Sequence, residues 1–458
     1  MEQLRICINT QTPLLQFTPK AVAALRARGE RGPPTLEGLV EGEDYRYSPG
    51  GVTRMVLPLV RRLQEKGVLG EVHWVALNPA GPPTVRLAGL VLHNVSLPDP
   101  RMRSYGQTKE VIWGTVHGTA EASGASEMFW SDEFTEYAYY NRRTAELIRT
   151  LDQEHDFDLF YIHDFQQLPI GGMLDSLKPK ILRWHIPFDG SVIPDTWRPR
   201  ISAYLESYDA VVVSTLGYQD ALRRFGYQGR SVRMYPYVDP DDFGHPSPRS
   251  AQTTSERYGL GPDDPFALVV ARMDPMKGQD RAVRVLATLR PRWPDLRLVL
   301  VGNGSFSGSA QGLALTKSGR WRSTLEDLAR ELGVADRVIF TGHATQPELD
   351  ALYERSQFTI LPSVQEGFGL VVIESWLHRR AAIVTDQAGV AELVRPGENA
   401  LLYPPDDLRR LRQHVSQLAK DPEECDRLGR AGRRAARSCT VAFAARAETR
   451  LFQEVLEA

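Results

Sequence analysis

The segment Phe358–Glu374 constrains the fold most strongly, because it joins an apolar run, a glycine-containing loop and a helical pattern. Phe358–Pro362 is typical of a short buried strand, and apolar residues recur at helical spacing over residues 370–377. Gly367 and Gly369 permit backbone geometry that a side chain would forbid, and they let a ligand approach the main chain closely. The segment therefore predicts a strand, a ligand-binding loop and a helix in direct succession.

Two carboxylates belong to this segment. Glu366 stands in the loop, and Glu374 lies about one turn into the helix. The free N–H groups and the partial positive charge of a helix start suit an anionic ligand. The carboxylates do not bind phosphate themselves, so they are better placed to accept hydrogen bonds from sugar hydroxyls. Solvated glutamates are common in loops and at helix starts, so the pair alone does not define a function.

Polar residues follow two apolar strand patterns in the first half of the chain. Leu159–Ile162 predicts a strand that His163 and Asp164 follow, and Lys180–Trp184 predicts another strand that His185 follows. In open parallel sheets, ligands bind just outside the carboxyl ends of the strands. These side chains are therefore candidates for binding or catalysis. The alternative is that they satisfy buried backbone groups.

Two cations follow a strand pattern in the second half of the chain. Phe266–Ala271 predicts a buried strand, and Arg272 and Lys277 come next, the lysine directly before a glycine. Arginine forks onto two oxygen atoms and lysine adds a point charge, so the pair suits a diphosphate. Leu298–Val301 is a further strand pattern and ends at a turn that begins with Gly302. An isolated pair of this kind is more often surface charge.

Length and the order of the patterns define the domain organisation. Strands alternate with helices, which predicts an α/β fold with doubly wound parallel sheets. The 458 residues are too many for one ordinary core and fit two domains of roughly 200 residues each. A stretch rich in proline, glycine and serine runs through Ser250 and marks the linker. We predict a first domain over residues 1–245 and a second over residues 246–439.

The composition of the chain limits the kinds of partner that the protein is expected to bind. Hydrophobic residues make up 42% and charged residues 24% of the chain, and no stretch approaches the ~18 apolar residues of a membrane span. A formal charge of −2 argues against nucleic acid as the main partner. The start of the chain lacks a signal-peptide layout, and the cysteines Cys7, Cys425 and Cys439 lie far apart, which together favour the cytoplasm. No ligand cluster for a metal ion is evident, so none is expected to be required. A homo-oligomer stays open.

The two glutamates resemble the glutamate, seven residues, glutamate signature of retaining nucleotide-sugar glycosyltransferases with the GT-B fold. The resemblance implies two Rossmann-like domains that face a cleft, with a last helix over residues 440–458 that crosses back onto the first domain. It implies that Glu374 binds the ribose of the nucleotide, that Glu366 faces the donor sugar, and that Arg272 and Lys277 hold the phosphates. The implied donor-binding set is Gly50, Gly51, Arg272, Lys277, Gly302, Glu366, Gly367, Phe368, Gly369, Leu370 and Glu374.

Further segments are similar, in the same order, to the acceptor half of trehalose-6-phosphate synthases: Trp113–His117, Tyr140–Asn141, His163–Asp164 and His185–Phe188. In that family the histidine that matches His185 contacts the donor sugar at the reaction centre, and the aspartate that matches Asp164 contacts the acceptor. The resemblance implies Asp164, Trp113 and His163 as acceptor-binding residues. The similarity is weaker elsewhere in the first half, so the acceptor stays open.

Together these features predict a retaining hexosyltransferase. It would move glucose, with UDP-glucose as the expected donor, to a hydroxyl of a small soluble acceptor such as a sugar or sugar phosphate, as trehalose synthases do. The predicted catalytic residues are His185, Glu366, Arg272 and Lys277. No carboxylate is clearly placed as a nucleophile for a double displacement, so the resemblance implies same-face attack, with the leaving phosphate accepting the acceptor proton. The nucleotide-diphosphate sugar is a co-substrate, and no tightly bound cofactor is expected.

Other functions remain open on the sequence alone. A transferase that acts on a lipid or polysaccharide end would need a sizeable exposed apolar surface. A GT-B nucleotide-sugar epimerase would release free nucleotide without acceptor turnover. A catalytically silent binding protein is disfavoured, because the glutamates and the two cations are all present.

Overall fold

The computed structural model describes residues 3–28, 33–48, 51–116, 118, 132–302 and 313–458. The chain forms two compact units, Met1–Tyr235 with Ala444–Ala458, and Pro236–Phe443. Each unit is built on its own mainly parallel sheet, so the predicted α/β fold is confirmed. None of the helices that the structure describes has the length and hydropathy that a bilayer-spanning segment needs.

The first unit contains an eight-stranded sheet and a separate two-stranded pair. Its strands are β1 Leu4–Thr10, β2 Leu15–Phe17, β3 Tyr45–Tyr47, β4 Leu69–Leu77, β5 Thr84–Leu87, β6 Leu90–Val95, β7 Leu159–His163, β8 Lys180–Arg183, β9 Ala210–Val213 and β10 Ser231–Arg233. Its described helices are α1 Pro19–Ala27, α2 Gly51–Glu65, α3 Asp99–Val116, α4 Asp132–His155, α5 Ile170–Met173, α6 Arg198–Glu206 and α7 Leu216–Phe225.

The large sheet has the order β10-β9-β8-β7-β1-β4-β6-β5. Strand β5 pairs antiparallel with β6 at one edge, and the other pairs in this sheet are parallel. The sheet grows from β1 in two directions, through β4 on one side and through β7 on the other. The point between β1 and β7 is therefore the place where an open parallel sheet leaves a crevice for ligands.

The second unit contains a six-stranded sheet in the order β13-β12-β11-β14-β15-β16. Its strands are β11 Phe266–Val270, β12 Arg297–Val301, β13 Val338–Gly342, β14 Phe358–Leu361, β15 Ala381–Thr385 and β16 Leu401–Tyr403. Its described helices are α8 Pro248–Arg257, α9 Gln279–Leu289, α10 Leu313–Glu331, α11 Gln346–Arg355, α12 Leu370–Leu377, α13 Leu408–Lys420 and α14 Pro422–Ala435, and the last helix, α15 Val441–Leu456, belongs from Ala444 onwards to the first unit. This strand order is that of the Rossmann fold, and its direction reverses between β11 and β14.

The chain passes from the first unit to the second between Tyr235 and Pro236. The composition of the linker had placed this boundary after residue 245. Residues that follow Pro236 are hydrogen-bonded within the second unit. The N–H of Val238 donates to Cys439 O at 3.0 Å, and the N–H of Val441 donates to Val238 O at 2.9 Å. Backbone pairing with Cys439 and Val441, which a composition pattern does not reveal, thus holds Val238 in the second unit. The Gly244 N–H donates to Asp350 of the same unit at 2.8 Å.

A buried ion pair holds the last helix on the first unit. Glu448 of α15 is fully buried and pairs with the buried Arg183 at the end of β8. The hydroxyl of Tyr161 on β7 donates to Glu448 Oε1 at 2.7 Å. Burial raises the pKa of Glu448, although Arg183 and Tyr161 oppose the shift. The same helix carries a second, exposed pair between Glu454 and Arg230.

These two pairs yield a matched test. Replacing Glu448 by Ala leaves the Arg183 charge buried without the carboxylate that neutralises it, so the free energy of unfolding should fall by about 3–5 kcal/mol. Replacing Glu454 by Ala removes an exposed pair and should cost less than about 1 kcal/mol. Urea unfolding of both variants at neutral pH measures the difference. Equal losses in the two variants would contradict this account of the helix.

Candidate active site

The loop after β11 is shaped around a glycine. Asp274 accepts a hydrogen bond from the Met276 N–H at 2.9 Å, which begins the short 3-10 helix Pro275–Lys277. Gly278 follows with φ +64°, and a Cβ there would lie 2.0 Å from Pro362 O. Only glycine fits this close approach of the two backbones. The loop that carries Lys277 is thereby held against the end of β14.

Lys277 and Glu366 are in direct contact. The Lys277 Nζ lies 2.7 Å from Glu366 Oε2, and both side chains are more than four-fifths buried, with 16% and 18% of their surface exposed. The Ser363 hydroxyl donates to the same carboxylate oxygen at 3.1 Å. The N–H of Val364 donates to Met276 O at 2.9 Å and ties the two loops together. Because β11 and β14 are neighbours, this contact lies where the sheet order reverses.

Gly369 makes the turn into α12. Its φ is +98°, and a Cβ would lie 2.9 Å from Leu361 Cδ2, so the position requires glycine. Leu370 begins the helix, and Phe368 before it is buried and accepts a hydrogen bond from the Val390 N–H at 2.8 Å. The predicted strand, glycine loop and helix of this segment are confirmed.

Glu374 lies in α12 with its carboxylate held by a tyrosine. The Tyr353 Oη is 2.9 Å from Glu374 Oε2. Gly302 follows β12 with φ +137°, and a Cβ there would lie 2.0 Å from Ala271 O. Arg272 is exposed, and its backbone oxygen accepts a hydrogen bond from Gln279 Nε2 at 2.6 Å. The candidate donor residues thus follow the adjacent strands β12, β11 and β14.

In the first unit, His163, Asp164 and His185 come together at the ends of β7 and β8. The His163 Nδ1 lies 2.9 Å from His185 Nε2, and the two rings stack at 5.2 Å. Asp164 Oδ1 accepts a hydrogen bond from the His185 N–H at 3.2 Å. Asp164 has φ +70° and ψ 170°, a strained conformation for a residue with a side chain. His163 ends β7 and Asp164 follows it, and β7 borders the reversal point of this sheet.

Both histidines are neutral at physiological pH. Burial lowers the pKa of His163 well below its usual range, and the Arg183 charge lowers it further. Burial also lowers the pKa of His185, with smaller effects from His163 and Arg183. Nε2 of His163 is buried without a hydrogen-bond partner among the described residues, and a buried N–H without an acceptor is costly. The hydrogen-bond pattern therefore assigns the shared proton to His163 Nδ1, which leaves His185 with its own proton on Nδ1.

Some candidate residues lie apart from these contacts. Trp113 is half-buried on α3 and packs against the apolar core of the first unit. Gly51 begins α2 and is exposed, whereas Gly50 lies outside the described residues. Within the described ranges, no group of three or more His, Cys, Asp and Glu side chains is arranged to hold a metal ion.

Sequence reasoning missed the partners that hold Glu374. Tyr353 is fully buried on α11, and its ring stacks on His378 with 4.9 Å between the centroids. His378 Nε2 lies 3.2 Å from Asp350 Oδ1. No motif marks these residues, because a tyrosine and an aspartate at helical spacing are typical of any packed helix.

Three comparisons with known proteins bear on this geometry. A GDP-mannose-dependent alpha-(1-6)-phosphatidylinositol monomannoside mannosyltransferase of Mycolicibacterium smegmatis is 31% identical over 216 residues, 46% of this chain and 52% of that protein. A D-inositol 3-phosphate glycosyltransferase of Acidothermus cellulolyticus is 27% identical over 384 residues, 81% of this chain and 78% of that protein. A solved UDP-forming alpha,alpha-trehalose-phosphate synthase of Burkholderia xenovorans has a TM-score of 0.72 at 16% identity and covers 99% of both chains.

The likeness to the solved synthase shows that the chain has the same α/β fold, GT-B, and the sequence relatives are glycosyltransferases. Residues 250–435 match the family described as glycosyl transferases group 1. The matched range contains the loops after β11, β12 and β14 and the helix that carries Glu374.

Asp164 yields a pH-dependent prediction. Burial raises the pKa of its carboxyl to about 7, above the ~3.9 of an unfolded aspartate. The buried carboxylate charge therefore destabilises the folded wild type at pH 8. The free energy of unfolding rises as the pH falls from 7 towards 4, because the folded state binds a proton there that the unfolded state does not. Asp164→Asn should raise the free energy of unfolding by about 1–3 kcal/mol at pH 8, with a smaller gain at pH 5.

Urea unfolding at pH 8, 7 and 5 measures this difference. Asparagine has nearly the same shape as aspartate, and its amide oxygen can accept the same hydrogen bond from the His185 N–H, so the substitution removes the charge and keeps the contact. The exposed Asp195, replaced by Asn, is the control and should leave stability almost unchanged at every pH. A loss of stability in Asp164→Asn at pH 8 would show that the carboxylate charge stabilises the fold.

Proposed function

We propose that the protein is a retaining glycosyltransferase that moves a sugar from a nucleotide-diphosphate sugar to a hydroxyl of a small soluble acceptor, such as a sugar or sugar phosphate. Glucose is the first donor sugar to test, with UDP-glucose as the first donor. The contact between Lys277 and Glu366 carries the proposal. The bond that breaks joins the donor sugar to the diphosphate, so a cation for phosphate and a carboxylate for sugar hydroxyls belong side by side.

The cations would stabilise the leaving group. Negative charge develops on the diphosphate as the bond from the anomeric carbon breaks, and positioned cations are most effective where charge develops. Lys277 stands on the loop at the reversal point, and the exposed Arg272 precedes it on the same loop. We assign the diphosphate to both residues, the nucleotide ribose to Glu374, and the donor sugar to Glu366.

Retention follows in this proposal from attack on the face that the leaving group vacates. The acceptor oxygen forms the new bond to the anomeric carbon, the bond to the diphosphate breaks, and the acceptor proton passes to a phosphate oxygen of the leaving group. Glu366 is engaged by Lys277 and Ser363, which disfavours a role as a free nucleophile. The proposal needs no divalent metal and no tightly bound cofactor.

The acceptor side is assigned to the first unit. His185, with its proton on Nδ1, is suited to donate a hydrogen bond to a sugar oxygen. Asp164 is suited to accept hydrogen bonds from acceptor hydroxyls, with His163 holding the His185 ring. The relative from Acidothermus cellulolyticus, whose name contains D-inositol 3-phosphate, supports a small phosphorylated polyol as acceptor.

A lipid acceptor is the second candidate. The mannosyltransferase from Mycolicibacterium smegmatis is named for a phosphatidylinositol mannoside, and its match covers about half of each chain.

We place the reaction in the cytoplasm, since the three cysteines are buried and free.

The proposal is tested by a donor screen followed by an acceptor screen. UDP-, GDP- and ADP-glucose and GDP-mannose are compared first by thermal stabilisation. The best donor is then offered with glucose, glucose 6-phosphate, inositol phosphate and lipid extracts. We expect transfer to a soluble acceptor, with a higher acceptor KM in Asp164→Ala. Transfer to lipid alone, or release of free nucleotide without transfer, would refute the small-acceptor assignment.

The same assay tests the cations. Lys277→Ala and Arg272→Ala should each lower kcat/KM by about 30- to 1,000-fold, which corresponds to a loss of about 2–4 kcal/mol of transition-state stabilisation. Lys420→Ala, at the exposed end of α13, is the control for loss of one cation and should keep the wild-type rate. Near-wild-type kinetics in both site variants would refute their role at the diphosphate.

A further inference from the structure

A buried tyrosine holds the carboxylate that is assigned to the nucleotide ribose. Tyr353 is fully buried, and its Oη lies 2.9 Å from Glu374 Oε2 and 3.3 Å from Val371 O. Burial, together with the Glu374 charge, raises the pKa of Tyr353 well above its usual range, so the hydroxyl keeps its proton. The tyrosine is therefore a hydrogen-bond donor to Glu374 at every working pH.

The ring of Tyr353 is itself fixed. It stacks on the His378 imidazole, with 4.9 Å between centroids and 16° between planes. His378 Nδ1 donates a hydrogen bond to Glu374 O at 2.8 Å, and its Nε2 lies 3.2 Å from Asp350 Oδ1 without forming a hydrogen bond. Asp350 and Tyr353 are one turn apart on α11, and Glu374 and His378 are one turn apart at α12. We call these four residues the two-helix clamp.

The clamp is anchored from its outer side. Asp350 Oδ2 accepts a hydrogen bond from the Gly244 N–H at 2.8 Å, and Oδ1 accepts one from Gln346 Nε2 at 2.9 Å. The Phe243 ring meets the His378 ring edge-on, with 5.8 Å between centroids. Asp350 and His378 are both buried. Asp350, His378 and Tyr353 are thus each in contact with a residue outside the clamp.

We propose that Tyr353 is a positioning residue that fixes the Glu374 carboxylate for the ribose hydroxyls and so makes the site select ribonucleotides over deoxyribonucleotides. The inference rests on the proposed function, in which Glu374 binds the ribose. A glutamate side chain that is already ordered loses less conformational entropy when it binds a hydroxyl. A carboxylate has acceptor sites for several donors, so the tyrosine bond does not consume its capacity for hydroxyls.

Tyr353 has an alternative, purely structural role, in which it only joins α11 to α12. Loss of that role would weaken the binding of a ribonucleotide and of its deoxy analogue by the same factor. Loss of the positioning role would weaken mainly the ribonucleotide, because only the ribonucleotide has the hydroxyls that Glu374 binds. The ratio of the two affinities therefore separates the two roles.

The experiment compares UDP, GDP and ADP with their 2′,3′-dideoxy counterparts by calorimetry on the full chain. We expect the best-bound diphosphate to bind the wild type about 10- to 100-fold more tightly than its dideoxy analogue. Tyr353→Phe should reduce this ratio by about three- to tenfold. Tyr403→Phe is the matched control, since Tyr403 is also fully buried and its hydroxyl has no partner among the described residues. The control should keep the wild-type ratio.

The outcomes distinguish this inference from the proposed function. If the wild type discriminates and Tyr353→Phe keeps the same ratio, the positioning role is wrong while the assignment of Glu374 stands. If the wild type binds both nucleotides equally, the assignment of Glu374 to the ribose fails, and the inference fails with it. Asp350→Asn serves as a second variant should Tyr353→Phe fold poorly. It loosens His378 and should lower the ratio less than Tyr353→Phe, whereas an unchanged ratio would also overturn the role of the clamp.

Discussion

Parallel pairing of strands determines where the loops that carry the charged groups of the candidate site lie. In a parallel sheet all carboxyl ends share one edge, and the edge opens where the strand order reverses. In the second unit the reversal lies between β11 and β14, whose following loops carry Lys277 and Glu366. In the first unit it lies between β1 and β7, and Asp164 follows β7. Topology, rather than proximity in sequence, thus brings charged groups to the same edge of each sheet.

Several residues of the site have backbone conformations or surroundings that are locally unfavourable. Gly278 and Gly302 occupy backbone conformations at which a Cβ would lie 2.0 Å from a carbonyl oxygen. Asp164 combines positive φ with burial, which raises the pKa of its carboxyl to about 7. The ends of strands in a well-packed sheet impose these conformations, and the packed neighbours hold them. The apolar strands of each sheet stabilise the fold and offset these unfavourable contributions. The buried pair between Arg183 and Glu448 holds the last helix in place.

Much of the fold was predictable from the sequence because its signals are local. The strand before His163 and the one before Arg272, and the glycine turn before Leu370, each depend on a few adjacent residues. The contact of Arg183 with Glu448 joins residues 265 apart in the chain, and no pattern announces it. Tyr353 resembles any core tyrosine of a helix, so its contact with Glu374 needed the structure. The composition placed Val238 in the first domain, whereas its backbone hydrogen bonds pair it with Cys439 and Val441 of the second unit.

The configuration of the product tests the central claim most directly. The active nucleotide sugar and soluble acceptor are incubated with the protein, and proton NMR follows the anomeric signal of the first product formed. The account predicts a glycoside with the same anomeric configuration as the donor and one nucleoside diphosphate released for each bond formed. An inverted product, or diphosphate release with free sugar and no glycoside, would contradict it.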